Sequence, residues 1–126
     1  MTDTRDLSQD ERGMLLKLLP ARSFPGAEVL ARQIPHASVV CGSPRSFLDL
    51  EVDDTAERAD LPDGPAPLSG LVHEPSSAEP VGEITLWVER GRLAGLEHAS
   101  FMDEEPGAFP SPEQITVQLH RGGALS

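Results

Sequence analysis

"VGEITLWVERGRLAGLEHASF", residues 81–101, is the stretch whose reading decides the fold. Ile84, Leu86 and Val88 alternate with Thr85, Trp87 and Glu89, the period of two that a strand with one buried face requires. Arg90 and Gly91 supply a two-residue turn, and "RLAGLEHASF" returns as the second strand of a hairpin. Strict pairing sets Val88 against Leu93 and Leu86 against Gly95, which leaves Glu97 on the inner face and Leu96 outside beside Trp87. One extra residue around Ala94 and Gly95, a β-bulge, returns Leu96 to the core instead. In both registers Trp87 points away from the aliphatic set, so it is either covered by a loop or left as an anchor for a partner.

Upstream of the hairpin the pattern is helical. In "LSQDERGMLLKLLP" Ser8 caps and Glu11 stands three residues later to complete a capping box, which predicts a helix from about Gln9 to Leu19 stopped by Pro20. Met14, Leu15, Leu18 and Leu19 form its apolar stripe. "FPGAEVLARQIPH" predicts a shorter helix with Pro25 at the first position, Leu30 and Ile34 one turn apart, and Pro35 as the stop. After Pro35 the period becomes two. "HASVVCG" and "SFLDLEVDD" read as strands joined by "GSPR", with Leu48, Leu50 and Val52 on one side and Phe47, Asp49, Glu51 and Asp53 on the other.

The region from about 53 to 67 has little apolar content, three prolines and an Asp-Gly pair, and predicts a mobile loop. "LSGLVHE" gives another strand, "PSSAEP" a turn, "MDEEPGAFPSPEQ" a proline-rich excursion, "ITVQLH" a last strand and residues 121–126 a frayed tail. The expected architecture is α+β: two N-terminal helices on one face of an antiparallel sheet of about five to six strands, in one domain spanning 1–126. The expected core holds Leu15, Leu18, Leu30, Leu50, Ile84, Leu86 and Val117.

With "GEITLWVERGRLAGLE" and "DEEPGAFPSPEQITV" on the page, the chain resembles small uncharacterised acidic proteins of high-GC Actinobacteria, which share the two-helix opening. The resemblance covers most of the chain and rests on structural rather than catalytic motifs. It implies a bacterial protein of a modular or immunity-like kind and supplies no catalytic residue.

Charge narrows the functional classes. Asp and Glu number 21 against 10 Lys and Arg, a net charge of −11, and such a field opposes binding to nucleic-acid phosphates and anionic membranes. No apolar run is long enough for a signal peptide or a transmembrane helix, and a single cysteine, Cys41, excludes an intrachain disulfide and a Cys-rich zinc site. A cytoplasmic protein is expected. G-x-S-x-G, H-E-x-x-H, the P-loop and G-x-G-x-x-G are all missing, so enzymatic chemistry has no signature.

Cys41 is either a thiol activated by Arg45 or a small buried hydrophobe. The histidines at 36, 73, 98 and 120 lack ligand spacing, and the carboxylates at 49, 51, 53 and 54 lack a calcium-loop pattern, so no metal and no cofactor are expected. Glu83 and Glu97 fall opposite each other in one hairpin register, a pairing suited to acid–base chemistry. The remaining reading is a non-enzymatic interaction protein that contacts a basic protein partner through an acidic sheet face of Phe47, Asp49, Glu51, Trp87 and Leu96. An immunity-type inhibitor of a basic toxin is one instance. The alternative is a small enzyme or ligand-binding domain with a cleft between the sheet and the 53–67 loop.

Overall fold

A computed structural model describes residues 3–19, 24–42, 46–74, 79–101 and 109–119. The expected stop at Pro20, Arg45, most of the excursion, His120 and the tail lie outside the described residues. The strands are β1 (Thr4–Asp6), β2 (Ala37–Val40), β3 (Phe47–Val52), β4 (Gly64–Pro65), β5 (Leu68–His73), β6 (Pro80–Glu89), β7 (Arg92–Ser100) and β8 (Ile115–Leu119); the helices are α1 (Gln9–Leu18) and α2 (Ala27–Gln33). The fold is α+β, and every strand pairing is antiparallel. The order across the sheet is β1-β2-β3-β7-β6-β5-β8, with β4 pairing separately to β6.

Among the described residues there are eight strands, more than the expected five to six, and β1 precedes α1, so the helices do not come first. Both additions escape periodicity. The residues of β1 are all exposed and polar, and the two residues of β4 are too few to show alternation.

The helix α1 starts as its capping box dictates. The Glu11 amide donates to Ser8 Oγ at 3.1 Å and the Ser8 amide donates to Glu11 Oε1 at 2.8 Å. Arg5, on β1, donates two hydrogen bonds to the same carboxylate at 2.9 and 2.8 Å, tying the edge strand to the helix start. That pairing lowers the Glu11 pKa and raises that of Arg5. In α2 the expected proline start is displaced: Gly26, at φ 96°, is the N-cap, and its left-handed backbone turns the chain into the helix. The expected stop at Pro35 is replaced by a 3-10 turn over Ile34–His36 that carries the chain into β2.

The hairpin takes the bulged register. Beyond Val88↔Leu93 the pairing shifts, so that Trp87 faces Gly95, Leu86 faces Leu96 and Thr85 faces Glu97. The strict alternative would bury the Glu97 charge, at a cost of several kcal/mol, and forfeit about 2 kcal/mol of Leu96 burial. Against that, disrupting the ladder at one residue is the smaller loss. Leu96, placed in the contact set above, is therefore core, with no exposed surface. Glu83 pairs with Ala99 instead of Glu97, so the proposed carboxylate pair does not form. Arg90 and Gly91 both have positive φ, 54° and 73°, the conformation of a tight hairpin turn.

Leu15, Leu18, Leu30, Leu50, Ile84 and Leu86 are buried in one hydrophobic core, while Val117 is only half-buried at its margin. Gly70 lets α1 approach the sheet: a Cβ there would lie 2.9 Å from Leu18 Cδ2. At the far end, Gln33 of α2 is buried and fully bonded. Its Nε2 donates to the carbonyls of Glu57 and Gly91, each at 2.8 Å, and its Oε1 accepts from the Leu93 amide at 2.9 Å.

The 53–67 segment, expected to be a mobile loop, is irregular but tethered. Beyond the Gln33 bond, the Ala59 amide donates to Gly91 O at 2.8 Å, the Ala66 amide donates to Leu86 O at 2.8 Å, and Ala59 and Ala66 are buried. Asp53 folds the start of the segment by accepting from the Thr55 amide and hydroxyl, which lowers its pKa.

Candidate functional site

The outer face of the sheet is assembled by β3, β7, β6 and β4. Register brings Asp49, Gly95, Trp87 and Pro65 into one row across the four strands and Phe47, Glu97 and Thr85 into the next. Partners across antiparallel strands share a face, so these side chains lie together on the side away from Leu86 and Leu96. Gly95 leaves a gap in the first row, and the Phe47 ring fills it; a Cβ at 95 would sit 2.5 Å from Phe47 Cζ. Phe47 and Trp87 are each partly exposed. The indole Nε1 donates to Glu97 Oε1 at 3.1 Å, which fixes the ring and one carboxylate oxygen.

These residues floor an open depression of about 540 Å³. Phe47, Asp49, Trp87, Ala94 and Glu97 line it from the sheet, Val88 and Glu89 from the hairpin end, and Asp63 and Gly64 from the 53–67 segment. Asp63 is held there because its Oδ1 accepts from the Arg90 amide at 2.8 Å. The lining thus carries four carboxylates and, among the described residues, no Lys or Arg.

Of the expected contact set, Phe47, Asp49 and Trp87 converge on this depression. Glu51 is exposed two residues further along β3, opposite Ser38, and does not line it. Leu96 points into the core. Glu97 and Asp63 were missed: Glu97 reaches the tryptophan face only through the bulge, and Asp63 reaches it only through β4. The Asp-Gly pair signalled a turn, but its partner strand is not legible locally. Across the sheet Pro65 of β4 faces Trp87, while Phe109 packs against His98 on the inner side, with centroids 5.7 Å apart.

A second cavity, about 560 Å³, lies between the start of α1 and the adjoining ends of β2 and β3, and Arg5, Glu11, Met14, Cys41 and Phe109 are among its lining. Cys41 is exposed, against the expectation of a small buried hydrophobe. Among the described residues of that lining the one Lys or Arg is Arg5, which is already paired with Glu11. His98 is buried with Nδ1 unbonded, and desolvation lowers its pKa.

Among the described residues, no group of three or more His, Cys, Asp or Glu side chains converges to hold a metal, and no helix is long and apolar enough to cross a membrane. Comparison with protein-family models, with curated proteins and with solved structures returns no match.

Proposed function

We propose that the chain is a non-enzymatic protein-interaction module whose outer sheet face docks a basic protein. The observation that carries this reading is the composition of the depression: two partly exposed aromatic rings, fixed by Gly95 and by the bond to Glu97, surrounded by four carboxylates without a described cation. Aromatic side chains in a concave surface give the apolar contact that dominates docking energy, and the acidic rim selects a positive partner and speeds encounter. The net charge of −11 acts in the same direction at longer range. Inhibition of a basic toxin in the cytoplasm, in the manner of an immunity protein, is the form of this function that the acidity favours.

A small cationic ligand held between the sheet and the 53–67 segment is the second reading, favoured by Asp63 and Gly64 forming one wall. The openness of the depression favours the larger partner, because a small ligand needs most of its surface enclosed.

The test is affinity capture from the native cell with the wild-type chain, Trp87→Ala and Asp49→Lys, each shown by circular dichroism to remain folded. A basic protein retained by the wild type, released as salt rises and lost from both variants is the expected result. Equal retention by all three chains would exclude this face as the docking surface.

A further inference from the structure

We infer that the depression beside Trp87 is a pocket for one arginine side chain of the partner, an inference that rests on the docking reading above. Its lining combines the two features that a guanidinium recognises together. Phe47 and Trp87 bring aromatic rings, and Asp49, Asp63 and Glu97 bring carboxylates, to the same concave surface. A guanidinium is planar, stacks on an aromatic ring and bonds carboxylates through a rigid fork, while an ammonium is a compact, strongly hydrated point charge that matches only half of this arrangement. The site is also preorganised. The Trp87 indole is held by its bond to Glu97 Oε1, and Asp63 is held by the Arg90 amide, and each bond engages one carboxylate oxygen. An arginine entering the depression therefore meets groups already in position, which reduces the ordering cost of binding.

The chain has one tryptophan, so the Trp87 indole N–H gives a single resonance that reports on this site alone. The experiment titrates the ¹⁵N-labelled chain with N-acetylarginine methylamide and with the lysine and citrulline analogues, and repeats the arginine titration on Asp49→Asn. The expected result is a saturable shift of the indole resonance by the arginine compound, a response to lysine weaker by about tenfold, and none to neutral citrulline, since tenfold is the scale of one good charge-assisted contact. Asp49→Asn, with its dispersed spectrum unchanged elsewhere, weakens arginine binding by a similar factor. Equal responses to arginine and lysine, a response to citrulline, or no indole shift would overturn the inference. The two readings fail separately. Loss of a captured basic protein from Trp87→Ala without any arginine response leaves docking standing and removes the arginine pocket. An arginine response without a partner lost from that variant does the reverse.

Discussion

Gln33 ties α2 to two other parts of the chain. It is a buried amide that bonds the 53–67 segment through Glu57 O and the hairpin through Gly91 O and Leu93 N. Gln33→Leu keeps the volume and takes this partner from Glu57 O and the Leu93 amide, while Gly91 O keeps the Ala59 amide. At about 1–3 kcal/mol for each buried group left unpaired, the expected loss is about 3 kcal/mol in a urea unfolding curve. A loss below about 0.5 kcal/mol would show that the segment is held by its other bonds. His98 acts through pH. Burial lowers its pKa from the ordinary value of 6.5, so below that value the unfolded chain binds a proton that the folded chain does not. The stability contributed by neutral His98 is present above about pH 6.5 and is lost as pH falls toward the folded pKa. The melting temperature of the wild type should decline as pH is lowered from about 7.5 to 5.5, with a shallower decline in His98→Leu. Identical slopes would remove His98 from the account.

Among the elements, the β6–β7 hairpin carries the fold and divides core from surface. Ile84 and Leu86 are fully buried on one side, with Trp87 on the other. Leu86→Ala should cost about 2–5 kcal/mol, the range for a cavity in a packed core, as read by chemical denaturation. A loss near zero would mean that the inner face has been misassigned. The alternation in β3 and β6 and the capping box at Ser8 and Glu11 were legible because each is fixed by neighbours within a few residues. Three features were not legible, each for a reason of range. The position of Leu96 depended on a bulge chosen by the cost of burying Glu97, so the local pattern left two registers open. The strands β1 and β4 depend on distant partners, Thr4 on Val40, 36 residues on, and Gly64 on Val88, 24 residues on, and carry too few apolar residues to signal themselves. The 53–67 segment looked free because its bonds run from backbone groups to Gln33, Gly91 and Leu86, none of which its own sequence announces. The candidate site suffered from the same limit: Phe47, Asp49 and Trp87 were readable by phase, whereas Glu97 and Asp63 required the tertiary pairing.

At the scale of the whole molecule, the excess of 21 acidic over 10 basic residues sets a long-range preference for positive partners, and the proposed docking on the outer sheet face would give that preference a place. The α1 surface provides the comparison, because it exposes Leu16 at 58% without belonging to the depression. The central claim, that the chain docks its partner through the Phe47 and Trp87 face, is tested most directly by photo-crosslinking in the native cell. Benzoylphenylalanine is placed at position 47 in one chain and at position 16 in another. The account predicts a single dominant adduct with a basic protein from position 47 and none from position 16. An adduct from position 16 with none from position 47 would contradict it.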